Sequence, residues 1–301
     1  MPVNTPFINE IPVWTALVTP MTENGAIDFE SLDHLIEQQN HAMNGIVLFG
    51  STGEGLALTL DEKKAVLKHV LDLKPLSPIM VGVGGHRLPE QLDWLALCET
   101  VHVSAYLMVT PLYAKPGPVG QTEWFTTLLS KVTRPCMLYN VPSRAGTELH
   151  PQVLNNLQGQ PYLWAVKEAS GSITKFQTYQ TAAGPTVRFY SGDDVLMPDL
   201  VKVGAKGLVS VASNVWPAET KRYAEHCLSG TLDVRGKALW KQAAEACFCA
   251  SNPVPSKALL ALRGDIAHAT CRPPLSANEL TDTTLLKTVD RTVQSWFAEG
   301  A

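Results

Sequence analysis

Lys167 ends the run Leu163-Trp164-Ala165-Val166-Lys167 and is followed at once by Glu168, Ala169, Ser170 and Gly171. A short continuous apolar run bounded by turn residues is the pattern of a strand buried on both faces, so this amine is expected inside protein. Desolvation disfavours an ammonium ion, and a lysine pushed towards its neutral form is a nucleophile that can build an imine with a carbonyl substrate. A free lysine, with a pKa of about 10.4, is neutral in only about one molecule in a few thousand at pH 7. Burial is therefore what would make the chemistry accessible. The competing reading is a lysine at a strand end that snorkels to solvent or pairs with a carboxylate such as Glu168. Position alone does not choose between them.

Imine chemistry also needs groups that move protons and groups that hold the substrate. Four further polar clusters could supply them: Ser51-Thr52-Gly53-Glu54, Thr110-Pro111-Leu112-Tyr113, Tyr139-Asn140-Val141-Pro142 and Gly192-Asp193-Asp194. Taken alone, Tyr139 is most simply a core residue with a satisfied hydroxyl, and Val209 an ordinary core residue.

The elements that would carry these clusters follow a regular alternation of short apolar runs and longer amphipathic stretches, the pattern of strands alternating with helices. Eight strands are expected, near Val13 to Val18, Gly45 to Gly50, Ile79 to Gly84, Ala105 to Thr110, Cys136 to Asn140, Leu163 to Glu168, Val187 to Ser191 and Gly207 to Ala212. Eight strand-helix units in this length fit a (β/α)8 TIM barrel better than an open doubly wound sheet. From about Pro217 the pattern becomes helix upon helix, with segments near Ala218 to Leu228, Leu232 to Ala250, Ser256 to Arg263 and Leu285 to Ala298. The expected organisation is a barrel over residues 1–216 carrying the active site and a C-terminal helical region over 217–301. All five polar clusters then lie at the C-terminal ends of strands, where such barrels place their reactive groups.

Composition narrows the function. The chain has 301 residues, a formal net charge of -4, 45% hydrophobic and only 17% charged residues, which suits a soluble globular protein with a large core. No lysine or arginine cluster invites nucleic acid. No run of about 18 apolar residues suggests a membrane span, and Met1 to Asn9 lacks a basic segment followed by a hydrophobic one, so cytoplasmic residence is expected. The six cysteines and eight histidines lack metal-ligand spacing, and the cysteines read as reduced, mostly buried thiols. No Gly-x-Gly-x-x-Gly or Gly-Lys-Ser/Thr loop opens a helix. Neither a metal nor another cofactor is expected.

Three motifs in order, Gly50-Ser51-Thr52-Gly53-Glu54, Tyr139-Asn140-Val141-Pro142-Ser143-Arg144-Ala145-Gly146 and Val166-Lys167-Glu168-Ala169-Ser170-Gly171, resemble the dihydrodipicolinate synthase / N-acetylneuraminate lyase family of class I aldolases. The resemblance extends from Val13-Trp14-Thr15-Ala16-Leu17-Val18-Thr19-Pro20 to Asn252-Pro253-Val254-Pro255-Ser256-Lys257. It implies a barrel enzyme in which Lys167 forms an imine with pyruvate, and Ser143-Arg144-Ala145-Gly146 is similar to the branch that condenses pyruvate with L-aspartate 4-semialdehyde. The alternative is a pyruvate-dependent sugar-acid aldolase of the same family, whose members generally lack that arginine. A planar guanidinium suits the carboxylate of the semialdehyde because it can make two parallel hydrogen bonds.

By the same resemblance Tyr139 is the central proton shuttle, flanked by the hydroxyls of Ser51 and Tyr113. Thr52 and the backbone at Val209 hold and line the pyruvate site, and the backbone of Gly192 faces the reacting groups. Ser51 departs from the family's more usual threonine but keeps the hydroxyl. In the family the tyrosine matched by Tyr113 reaches into a neighbouring subunit, which implies a homotetramer built from dimers. The positions matching the family's L-lysine inhibitory cleft, Gly55, Leu60, Lys63, His86, Glu90 and Leu112, retain clearly only Glu90, so weak or absent feedback by lysine is expected.

Overall fold

All eight expected strands form, each short and almost wholly buried: β1 Val13–Ala16, β2 Gly45–Leu48, β3 Ile79–Val83, β4 Ala105–Val109, β5 Cys136–Asn140, β6 Leu163–Glu168, β7 Arg188–Ser191 and β8 Leu208–Ser210. In the computed structural model they follow one another in chain order round a closed barrel. This is the (β/α)8 TIM barrel expected from the alternation, and the open doubly wound sheet is excluded. The structure describes residues 6–299. Residues 1–5 of the N-terminal segment and residues 300 and 301 of the helical region lie outside that range.

Parallel neighbours need crossover connections, and helices supply them. Several are fixed at their start by a side chain that accepts an otherwise unpaired backbone N–H. Asp28 caps Phe29–Ala42 through the N–H of Ser31, and Ser172 caps Ile173–Ala183 through that of Lys175. Thr59 and Glu62 form a reciprocal capping box on Leu60–Asp72, the helix that follows the Ser51–Glu54 turn.

Five strands end earlier than expected, β3 and β4 by one residue and β1, β2 and β8 by two, the last three for identifiable reasons. The N–H of Leu17 still donates to Val47 O of β2 (3.1 Å), but the N–H of Val18 donates to Asn214 Oδ1 (2.8 Å) rather than to a strand. Phe49, just past β2, takes a positive φ of 60° and turns the chain out of the strand. After Ser210 the backbone at Val211 becomes helical, and a single 3₁₀ turn, Ala212–Asn214, replaces the last residues of the expected eighth strand.

By compactness the described residues divide into two units, one running to Glu10 and resuming over Ile79–Val209, the other Ile11–Pro78 with the residues from Ser210 onward. In the first, β5, β6 and β7 are in parallel register, with Tyr139 opposite Lys167 and Lys167 opposite Tyr190. Phe176 packs edge-on to Phe189, with ring centroids 5.3 Å apart. In the second, the C-terminal helices Pro217–Ser229, Val234–Ala246, Val254–Arg263 and Thr284–Glu299 are present as expected. Trp240 is fully buried there, stacked on Tyr223 at 4.5 Å and edge-on to Trp216. All six cysteines are free thiols, five buried and Cys249 exposed. No helix among the described residues is long and apolar enough to cross a membrane.

Candidate active site

Every side chain of β6 is buried, the two charged ones included: Lys167 is 4% and Glu168 2% exposed. Successive residues of a strand face opposite sides, so the two charges diverge into different surroundings. Glu168 is spoken for. Its Oε1 accepts from Asn140 Nδ2 (2.7 Å), and both its oxygens accept the N–H of Ser170 (3.1 and 3.0 Å). Burial nevertheless dominates and raises the carboxyl above its ordinary pKa, against the lowering effect of these hydrogen bonds. Asn140 Oδ1 accepts the N–H of Leu149 (2.9 Å), which closes the loop bearing Arg144.

Lys167 has no such partner. Among the described residues no carboxylate lies within ion-pair reach of its Nζ, which sits 4.2 Å from the centroid of the Tyr139 ring. The register explains the contact. Tyr139 and Lys167 are directly paired positions of β5 and β6, so both project to the same face of the sheet. The phenol is itself 7% exposed. A cation over a ring face is attracted by its quadrupole, but an aromatic face does not neutralise a charge as a carboxylate does. Both bland readings of the lysine, a solvent-seeking tail and a partner of Glu168, fail on this geometry.

Gly192, just past β7, completes the cluster. Its N–H donates to Glu168 O (2.8 Å), and a Cβ there would stand 2.7 Å from Ala169 Cβ, 3.0 Å from Lys167 Cε and 3.1 Å from Lys167 Cγ. Glycine is required first by close approach to Ala169 and then by the lysine side chain. Lys167, Tyr139 and Gly192 are thus brought together as expected.

Tyr113 and Arg144 belong to neighbouring loops tied by one hydrogen bond, the N–H of Tyr113 to Ala145 O (3.0 Å). Tyr113 is 90% exposed and has a φ of 65°, unusual for a bulky residue. Arg144, in the short helix Pro142–Ala145, is exposed and has no partner among the described residues. Val209 is fully buried in β8, its side chain part of the core.

The turn after β2 carries the remaining expected residues. Ser51 is exposed, whereas Thr52 is 2% exposed and its Oγ1 accepts from Asn252 Nδ2 (3.0 Å). The turn is closed by the N–H of Gly55 to Gly50 O (3.1 Å) and by Thr19 Oγ1 donating to Gly53 O (2.7 Å).

A buried strand lysine over a tyrosine in a closed eight-stranded barrel matches the class I aldolase architecture, and comparison with known proteins decides the family. The model of the dihydrodipicolinate synthetase family matches residues 11–292. The chain belongs to this family. It is 50% identical over 286 residues to the 4-hydroxy-tetrahydrodipicolinate synthase of Francisella philomiragia subsp. philomiragia, covering 95% of this chain and 97% of that one. Among solved structures it is similar to the chloride-inhibited dihydrodipicolinate synthase from Acinetobacter baumannii complexed with pyruvate (TM-score 0.85, 28% identity, 95% of this chain and 98% of that one). It is equally similar to a monomeric dihydrodipicolinate synthase variant (TM-score 0.88, 27% identity, 97% and 98%).

For this member of the dihydrodipicolinate synthetase family, sequence reasoning missed the residues that hold the motifs in place. Asn140 and Glu168 were inside quoted motifs but had no assigned part. Asn252 and Lys257 stand in the quoted segment Asn252-Pro253-Val254-Pro255-Ser256-Lys257 with no part of their own, and Arg272 in no quoted segment, although Lys257, like Lys167, interrupts an apolar run, Val254-Pro255-Ser256-Lys257-Ala258-Leu259-Leu260. That signal was available.

Proposed function

We propose that this chain is a Schiff-base lyase that condenses pyruvate with L-aspartate 4-semialdehyde, the reaction of 4-hydroxy-tetrahydrodipicolinate synthase in the diaminopimelate route to lysine. The observation that carries the reading is Lys167 Nζ, buried, without a carboxylate partner among the described residues and lying over the Tyr139 ring.

Lys167 Nζ adds to C2 of pyruvate, and the carbinolamine loses water to give an imine. The cationic nitrogen acidifies the adjacent methyl group, and loss of a proton yields the enamine. The enamine carbon bonds to the aldehyde carbon of the second substrate, and the resulting alkoxide is protonated. The amine of that substrate then attacks the imine carbon, closing the ring and returning Lys167 as free amine. Tyr139 shuttles the protons, with the hydroxyls of Ser51 and Tyr113 on either side of it. Thr52 holds the pyruvate carboxylate, the backbones of Gly192 and Val209 line the site, and the unpaired guanidinium of Arg144 takes the carboxylate of the semialdehyde. No cofactor enters any step.

The proposal extends to cytoplasmic residence and to a homotetramer built from dimers that share Tyr113. The 90% exposure of that tyrosine supports a partner for it, while one of the similar solved structures is that of a monomeric variant. Borohydride reduction in the presence of pyruvate, followed by peptide mass mapping, tests the mechanism. Reduction is expected to fix a pyruvyl adduct on Lys167 alone; an adduct elsewhere, or none, sinks it. Turnover of the semialdehyde against N-acetylneuraminate and a 2-keto-3-deoxy acid separates the proposal from a sugar-acid aldolase.

A further inference from the structure

The turn that carries Ser51 and Thr52 ends in a carboxylate that has no part in the chemistry above. Glu54 is buried, with its backbone at a φ of 52°, a region that residues other than glycine seldom occupy. Gly53 and Gly55 flank it, and neither has room for a side chain: a Cβ on Gly55 would lie 2.1 Å from Phe49 O, and one on Gly53 2.8 Å from Leu17 O. The turn is tight, and its strained centre needs something to over-determine it.

Lys257 supplies that. Its side chain, on the helix Val254–Arg263, is 0% exposed and that of Glu54 is 1% exposed. Lys257 Nζ donates to Glu54 Oε1 and to Thr270 O (2.8 Å), while Glu54 Oε2 accepts the N–H of Arg272 (2.8 Å). Two residues earlier in the turn, Thr52 Oγ1 accepts from Asn252, two residues before the start of the same helix. The amide is the donor in that bond, so the hydroxyl proton of Thr52 is left to be donated onwards, as an anion would require. A buried ion pair gains little stability over apolar residues of the same volume, because desolvation offsets the attraction. What it supplies is one fixed geometry for the turn.

We infer that Lys257 is a positioning residue for pyruvate: through Glu54 it holds the turn so that Thr52 presents its hydroxyl to the carboxylate. The inference builds on the assignment of Thr52 made above, and it gives the C-terminal helical region a task in substrate binding.

The test titrates pyruvate in the borohydride reaction for the wild type, for Lys257→Met and for Glu54→Gln/Lys257→Met, with thermal melts alongside. In Lys257→Met an unpaired buried carboxylate lowers the melting temperature. In the double variant the stranded charge is gone and the melting temperature returns towards wild type. In both, the pyruvate concentration for half-maximal trapping is expected to rise about tenfold or more, on the scale of a displaced contact group, while the extent of trapping at saturation stays that of the wild type. If Lys257→Met does not fold, the double variant decides alone. A double variant whose half-saturation returns with its stability, or never moved, overturns the inference and leaves the Lys167 mechanism standing. A wild type that gives no adduct overturns both.

Discussion

Replacing Gly192 by alanine adds one methyl group beside Lys167. Gly192 is not among the residues with positive φ, so its backbone accepts alanine and the objection is space alone. The new Cβ would stand 2.7 Å from Ala169 Cβ and 3.0 and 3.1 Å from Lys167 Cε and Cγ, against an ordinary carbon-carbon separation of about 3.5–4.0 Å. The Ala169 contact has to open by roughly an ångström, and as Ala169 has no rotamer to change, the backbone must give. Lys167 has to yield by somewhat less, and its stem can rotate, so the easiest relief is to swing the amine away from the Tyr139 ring. Overpacking of this kind costs about 1–3 kcal/mol of stability. For a large chain that corresponds to a fall in Tm of several degrees, at roughly 2–4 °C per kcal/mol. A misplacement near 1 Å at a reacting group can cost about 10²-fold in rate, so the first-order rate of imine trapping at saturating pyruvate should fall by about 10- to 100-fold. The assay is quenched borohydride reduction followed by intact-protein mass. A Gly192→Ala protein with the trapping rate and Tm of the wild type refutes the argument that glycine is there to make room for the lysine.

Arg144→Ala should leave Tm unchanged, because the guanidinium is exposed and unpartnered. It should raise KM for the semialdehyde by about 10- to 100-fold, the loss of a charge-assisted pair, with pyruvate trapping intact; an unchanged KM removes Arg144 from the specificity argument. Arg272 donates to Glu62 from both terminal nitrogens (2.7 and 2.5 Å) and, with the capping box, lowers that carboxyl from 4.5 to about 2. Because the folded pKa is the lower one, this stabilisation is complete above about pH 4.5 and is lost as pH falls towards 2, an upper bound of about 3 kcal/mol. The difference in melting temperature between wild type and Arg272→Met should therefore narrow over that range, and a constant difference refutes the linkage. L-Lysine should inhibit weakly or not at all, as Glu90 alone is retained from the inhibitory cleft and is already paired with Arg87 at 2.9 Å; strong inhibition at low lysine concentration in a steady-state assay contradicts this.

The strands were legible because a doubly covered parallel strand has no polar face to confuse the pattern. Leu163 to Glu168 and Cys136 to Asn140 come out with the expected limits. The misplaced ends are where a tertiary partner decides the matter. Nothing near Val18 in sequence announces that Asn214 will take its N–H, and the backbone turn at Val211 breaks a run that apolar pattern alone would extend. The second C-terminal helix differs for a local reason: it was expected from Leu232 to Ala250 but spans Val234–Ala246, and its start is set by Asp233, which caps it by accepting the N–H of Gly236.

The candidate site was legible in the residues that the structure brings together, Lys167, Tyr139 and Gly192, and not in their supports, and the two buried lysines show why. Lys167 and Lys257 give the same signal in sequence, an amine inside an apolar run, and both are buried. What separates them is the partner. A carboxylate from the Ser51–Glu54 turn, some two hundred positions away, meets Lys257 and ties it down, whereas among the described residues no carboxylate meets Lys167, which faces a tyrosine ring. Burial by itself therefore does not mark a nucleophile. An amine engaged by a buried carboxylate is committed to that contact and is not free to meet a ketone. The discriminating feature of an imine-forming lysine is burial with its counter-charge withheld, and this chain withholds it by alternation: the carboxylate next in sequence, Glu168, points to the other face of β6 and is committed to Asn140 and Ser170. Exchanging those roles, by giving Lys167 a carboxylate on its own face, would turn it into a second Lys257.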